Sequence, residues 1–155
     1  MRKAIAAALV CLLLCLAACG AQSTSTVEVW RVVGESSRAD GELLRAESRT
    51  VRPGVNQTTA LIDIFNSAPE DPLLGTGMGT SQIIGCEQTG TELRFEVTDS
   101  FTLLSAAQRA EAQCCMALTF CALDGIKTVS VWSGGAELMP PLSPDDIILA
   151  DDTAQ

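Results

Sequence analysis

The chain of 155 residues contains no histidine and no tyrosine, and its aromatic complement is two Trp and four Phe. Without His there is no imidazole base near neutral pH, no Ser-His-Asp or Cys-His pair, and no supply of the commonest metal ligand. Most hydrolase templates are excluded on that ground, and carboxylate-only chemistry of the glycosidase kind is what stays open. Cations are scarce too: 10 Lys and Arg stand against 19 Asp and Glu, a formal charge of -9. Nucleic-acid affinity comes mainly from clustered cations that release counterions, so no nucleic-acid partner is expected. The longest apolar run, residues 4–18, is 15 residues long. That is short of the roughly 20 a membrane-spanning helix needs.

That run is nevertheless informative. Arg2 and Lys3 precede it and Leu16-Ala17-Ala18-Cys19-Gly20 closes it, the order of charge, apolar stretch and small residues found in an export signal. Leu-Ala-Ala-Cys resembles the bacterial lipobox, in which the Cys becomes the lipid-modified first residue of the mature protein. Residues 1–18 are therefore read as a lipoprotein signal peptide and Cys19 as the lipidation site. A diacylglycerol on Cys19 supplies the two chains that stable anchoring requires, so the expected location is the extracytoplasmic face of the bacterial cytoplasmic membrane. Removing residues 1–18 takes Arg2 and Lys3 and no acid, leaving 19 acidic against 8 basic residues and a formal charge of -11. Attraction to anionic headgroups is not expected at that charge. Residues 19–26, with Gln, Ser and Thr and no large apolar side chain before Val27, read as the lipidated Cys and a flexible tether.

Seven cysteines become four in the folded part once Cys11, Cys15 and Cys19 are set aside: Cys86, Cys114, Cys115 and Cys121. Metal sites want pairs two to four residues apart, and here two are adjacent and the next lies six residues on. No metal and no cofactor is expected. Disulfides are permitted outside the membrane, with Cys86 to a helix cysteine the pairing to check. Reduced, buried thiols acting as small apolar filler are the equal alternative.

Val27, Val29, Trp30, Val32 and Val33 form a β-rich run that a polar turn joins to a second extended run at residues 43–51, a hairpin. Asn56 is placed to cap a helix carrying Ala60, Leu61, Ile64, Phe65 and Ala68, stopped by Pro69. Residues 70–80, with Pro72 following Pro69 closely and with Gly75, Gly77 and Gly79, read as an irregular loop. Residues 82–87 and 91–98 form a second hairpin whose Leu93, Phe95 and Val97 alternate with Arg94, Glu96 and Thr98. Ser105 and Gln108 make a capping box for a helix with Ala107, Ala110, Cys114, Leu118 and Cys121 on one face, ended near Gly125. Residues 126–132 alternate as a strand that Ser133-Gly134-Gly135 ends. The order hairpin, helix, hairpin, helix, strand predicts an α+β fold, a single two-layer domain with two helices packed on a mixed sheet. The domain is placed at residues 27–135, and residues 136–155 read as an acidic C-terminal tail, partly docked.

These segments, in this order, resemble the GerMN domain, the module of spore-germination and sporulation lipoproteins. The resemblance is carried by Val27-Glu28-Val29-Trp30, by Ala60-Leu61-Ile62-Asp63-Ile64-Phe65-Asn66-Ser67-Ala68-Pro69 and by Gly79-Thr80-Ser81-Gln82-Ile83-Ile84-Gly85. It continues through Leu93-Arg94-Phe95-Glu96-Val97-Thr98 and Ala117-Leu118-Thr119 to residues 125–135, which read Gly-Ile-Lys-Thr-Val-Ser-Val-Trp-Ser-Gly-Gly. Gly77-Met78 stands where the family often has Leu-Pro before Gly-Thr. Family members often carry two copies, and this chain has room for one. The resemblance implies an extracytoplasmic lipoprotein domain without known catalytic residues, tied to sporulation, germination or envelope assemblies, with protein partners that include a homo-oligomer or ring.

The functional expectation is a non-enzymatic, membrane-anchored interaction or scaffold module. Its candidate binding surface is the loop at Gly75, Gly77, Gly79 and Thr80, the surface around Trp132 with Gly134 and Gly135, or an exposed strand edge open to β-augmentation. The alternative is a small-ligand or cell-wall carbohydrate-binding lipoprotein, with Trp30 or Trp132 stacking on a sugar. An enzyme would have to use carboxylates such as Asp63, Glu96, Asp99 and Glu111, which fall on polar faces with no base, nucleophile and orienting group to assemble. Asp145-Asp146 and Asp151-Asp152 lack the spacing of a calcium loop.

Overall fold

The computed structural model describes residues 24–147 apart from 39, 40 and 53. The signal peptide, Cys19 and the last residues of the acidic tail lie outside the described residues. The Val-rich β1, Ser25–Val33, pairs antiparallel with β2, Leu44–Val51, in register from Ser25↔Val51 to Val32↔Leu44. This is the expected first hairpin. The side chain of Asn56 accepts the backbone N–H of Thr59 at 3.0 Å, as a cap should, and α1 follows as Gln57–Asn66. It buries Leu61 and Phe65, while Ala68 falls beyond its end and is exposed.

The loop expected at residues 70–80 is not wholly irregular. Leu74–Gly75 forms β3, paired antiparallel with the end of β1 through Val32↔Gly75 and Val33↔Leu74. Gly77 then takes φ +72, and a Cβ there would come within 2.7 Å of the Val32 side chain and 3.5 Å of the Ala112 backbone. Only glycine fits this close passage of the loop between β1 and the second helix.

The second hairpin is β4, Ile83–Thr89, and β5, Glu92–Val97, turning at Gly90 with φ +62. Leu93, Phe95 and Val97 are buried and Glu92, Arg94 and Glu96 half-buried, which is the alternation the sequence shows. β5 pairs in parallel with β6, Thr128–Ser133. Parallel neighbours need a crossover, and α2, Ala106–Phe120, supplies it. Ser105 and Gln108 close the expected capping box at its start.

Two expectations are corrected. The strands form two sheets, ordered β2-β1-β3 and β4-β5-β6-β7, where one mixed sheet was expected; the second sheet alone is mixed. The domain also runs past residue 135. Ala136–Leu142 is β7, antiparallel to β6, and Ser143 caps a short turn at Pro144–Asp146 before Ile147 packs on the core. Pro140 and Pro141 hid this strand, but proline is tolerated at a sheet edge, where no partner needs the missing N–H.

The buried face of α2 also differs from the one expected. Ala112, Gln113, Cys115, Met116, Ala117, Thr119 and Phe120 are buried, whereas Ala107 and Ala110 are exposed and Cys114, Leu118 and Cys121 half-buried. Its Ala, Cys, Leu and Met residues fall on adjacent faces, so two neighbouring stripes satisfy the same spacing. Tertiary packing selects the stripe between β1 on one side and β6 and β7 on the other. Its buried polar members find backbone partners: Trp30 N–H donates to Thr119 Oγ1 at 2.9 Å, and Gln113 Nε2 donates to Pro140 O at 2.6 Å. Phe120 stands 5.7 Å from Phe65 of α1 and 4.6 Å from Phe95 of β5, centroid to centroid. One aromatic cluster thereby joins both helices to the second sheet.

Candidate functional site

The residues nominated from sequence fall in two separate places. Gly75, Gly77 and Gly79 line a groove of about 530 Å³ between the end of β1, β3 and the first turn of α2, with Leu73 and Gln108 among its walls. Thr80 is exposed and outside this lining. Arg38 Nη2 reaches Glu111 at 3.1 and 3.2 Å beside the groove, and its Nε donates to Val33 O at 3.0 Å.

Trp132 and Gly135 line a second cleft, of about 380 Å³, on the face of the four-stranded sheet away from α2, together with Gly85, Glu87, Arg94 and Glu96. Register places these side chains together: Arg94 lies beside Ser130 and Glu87, and Glu96 beside Trp132 and Gly85. The Arg94 guanidinium lies 5.3 Å from the Trp132 ring centroid, and its Nε is 3.2 Å from Glu92 Oε1. Trp132 Nε1 donates to Ser130 Oγ at 3.0 Å, which in turn donates to Glu92 at 2.6 Å. One ring face and the indole N–H are thus engaged within the protein, which reduces what a sugar could use as a stacking platform. Gly134, with φ +58, does not line the cleft; it forms the β6–β7 turn and its N–H donates to Glu96 at 2.6 Å.

The carboxylates weighed for catalysis are dispersed. Asp63 is exposed on α1, Glu111 pairs with Arg38, Glu96 holds the β6–β7 turn, and Asp99 accepts from Ser133 Oγ at 2.8 Å. Among the described residues no group of His, Cys, Asp and Glu is arranged to hold a metal ion. Cys86, Cys114, Cys115 and Cys121 are all free, so the Cys86-to-helix disulfide does not form. Burial raises the Cys115 thiol well above its ordinary range and pushes Cys121 up to about 11. Both are poor nucleophiles in that state. Cys86 is the exposed thiol of the four and lies on β4.

Sequence reasoning missed one buried constellation. Arg31 is fully buried, donating from Nη1 to Phe65 O at 2.7 Å, from Nη2 to Ile64 O at 2.8 Å and from Nε to Glu47 at 3.3 Å. Glu47 also accepts the backbone N–H groups of Glu70 and Asp71. Arg31 thus satisfies the last carbonyls of α1 and ties them to β1 and β2. Burial pushes the Glu47 carboxyl up, but those amides and Arg31 outweigh it and hold the group below its ordinary value. An Arg in a Val-rich strand carries no local signal that it points inward.

No family sequence model matches the chain, and no curated protein matches it by sequence. Similarity lies in the fold. The chain superposes on the tandem GerMN domains of the sporulation protein GerM from Bacillus subtilis with a TM-score of 0.58 at 16% identity, over 77% of this chain and 44% of that one. It spans under half the length of that tandem chain. Against the first GerMN domain of the same protein the TM-score is 0.52 at 13% identity, covering 78% and 96% of the two chains. Against a Clostridium perfringens protein described provisionally as a lipoprotein it is 0.51 at 10% identity, covering 80% and 90%. The chain has a GerMN-like α+β fold.

Proposed function

We propose that this chain is a membrane-anchored extracytoplasmic lipoprotein whose folded domain is a non-enzymatic interaction module serving sporulation, germination or cell-envelope assembly. The observation that carries the reading is a GerMN-like fold standing directly behind Leu16-Ala17-Ala18-Cys19. Among the described residues no helix is long and apolar enough to cross a membrane, so the lipid on Cys19 is the anchor in this account. The geometry of β1 supports the same reading. The tether enters at Ser25, and at about 3.3 Å per residue the strand carries the chain ~23 Å away before the groove at Val32, Val33 and Gly75 begins. That groove therefore lies at the opposite end of β1 from the one the tether enters.

The competing reading, a wall-carbohydrate binder, depends on Trp30 or Trp132 as a platform; Trp30 packs against the core, and at Trp132 the Arg94 guanidinium lies over the ring while Ser130 takes the indole N–H. Metabolic labelling with an alkyne fatty acid, followed by membrane fractionation, tests the anchored reading. Labelled wild type in the membrane fraction, with an unlabelled Cys19→Ser variant, is the expected result. An unlabelled wild-type chain free in the medium overturns it.

A further inference from the structure

Four strand edges border the two sheets, and three of them are blunted. β7 carries Pro140 and Pro141, which offer no N–H. β3 is two residues long, and beside the β1 edge it leaves without a strand α2 packs, with Thr119 accepting the Trp30 N–H. β2 carries Arg45 and Arg49, tied to Glu42, Asp71, Glu47 and Glu70, and a charged edge resists pairing. β4 is different. It has β5 as its sole neighbour in the sheet, no proline and no cation, and residues 86–89 are all exposed. Its one irregularity is a register shift between Ile83 and Gly85, which leaves Ile84 unpaired and 62% exposed.

The start of this edge already accepts a peptide-like partner. The Asn66 carboxamide donates from Nδ2 to Ile83 O at 2.8 Å and accepts the Ile83 N–H at 2.9 Å, the two-point contact that a strand residue makes. From residue 85 onward nothing among the described residues takes its place.

We infer that residues 85–89 of β4 are a docking edge for an extended segment of a partner protein, alternating basic and apolar side chains, added as a fifth strand. This rests on the interaction-module reading and names the surface and the partner's chemistry. The charge pattern selects the occupant. Glu87, Glu92 and Glu96 share the outward face of β4 and β5 with a single cation, Arg94, whose Nε is committed to Glu92. A partner residue beside Glu87 on that face meets net negative charge, and Lys or Arg complements it. On the opposite face Cys86 is exposed, and Ile84 stands exposed at the bulge; apolar partner residues would cover them. A second copy of this chain paired through its own β4 would bring two acidic hairpins edge to edge, which like-charge repulsion opposes.

The test uses the full lipidated chain in detergent micelles and, as probe, an eight-residue blocked peptide alternating Lys and Val. Hydrogen exchange is followed at the backbone amides of residues 84–89. The expected result is at least tenfold slower exchange confined to that stretch, lost on adding salt and in the Glu87→Lys variant, and absent with a Glu-Val peptide. The Glu87 side chain makes no hydrogen bond or ion pair among the described residues, but it stands opposite Arg94 of β5, where Lys would meet like charge. The neutral Glu87→Gln is therefore run beside the reversal and is expected to weaken the protection too, with unchanged exchange in α2 verifying the fold of both. Unaltered exchange of residues 84–89 at millimolar peptide overturns the proposal. Protection that survives Glu87→Lys, or protection at residues 75–80 instead, also overturns it. So does a homodimer joined through Cys86 in the absence of peptide. Each of these failures leaves the fatty-acid labelling of Cys19 untouched, so the anchored reading stands or falls separately.

Discussion

Arg31 is the residue on which most of the first layer depends, because one guanidinium serves the end of α1, the interior of β2 and, through Glu47, the turn at residues 70–71. Replacing it leaves Glu47 with Arg49 as its one remaining cation and strands the Phe65 carbonyl, while the Ile64 carbonyl keeps Ser67. Arg31→Met is expected to lose roughly 3–5 kcal/mol of stability, with partial recovery when Glu47→Leu is added, since removing both charges costs far less than removing one. Urea denaturation of the two variants and their wild type is the check. The carboxyl also sets a pH dependence. Its folded pKa lies below its unfolded value, so its contribution is complete above about pH 4.3, the ordinary Glu value, and drains away as pH falls through the folded value. The urea midpoint of wild type should therefore fall more between pH 6 and pH 3 than that of Glu47→Gln, which is already weakened at neutral pH. At Gly77 the argument is steric: Gly77→Ala meets Val32 at 2.7 Å with φ +72 and is expected to cost about 1–3 kcal/mol, read as a lower thermal midpoint.

At the scale of elements, α2 is the part that makes two sheets one domain. Its Thr119 takes the Trp30 N–H that β1 turns away from β2, and its Gln113 holds β7 at Pro140. Thr119→Val keeps the shape and removes the acceptor, so it should destabilise by about 1–2 kcal/mol, visible as faster exchange of the Trp30 amide. The sequence showed this helix by its capping box and its length, and the hairpins by alternation, because those signals are local. It did not show which stripe of α2 is buried, since Ala, Cys, Leu and Met occur on adjacent faces and only the neighbouring strands choose between them. β7 was hidden for a related reason: Pro140 and Pro141 are strand breakers in isolation and harmless at an edge. The cleft at Trp132 was half visible. Trp132, Gly134 and Gly135 stand out in sequence, but Arg94, Glu96 and Glu87 join them through the parallel pairing of β5 with β6, a contact made across the whole of α2.

For the whole molecule, charge and anchoring act together. In the proposed reading, a formal charge of -11 on the mature chain would keep the domain off anionic membrane surfaces while the lipid on Cys19 held it nearby. The partner proposed for β4 would then come from the extracytoplasmic side and bring positive charge. Disulfides do not lock the described fold, since its four cysteines are free, and burial keeps Cys115 and Cys121 unreactive. The GerMN-like resemblance carried by core and turn positions was legible in the sequence and is matched by the fold; what those positions do not encode is the binding edge, which depends on which strand the topology leaves without a neighbour. The most direct measurement is photo-crosslinking in living cells from residue 88 on β4, compared with residue 63 on the exposed side of α1, in the full lipoprotein with sequencing of the captured peptide. The account predicts adducts from residue 88 alone, to an extended basic segment of an extracytoplasmic protein, and their loss in Glu87→Lys. Equal adducts from both positions, or none from either, would contradict it.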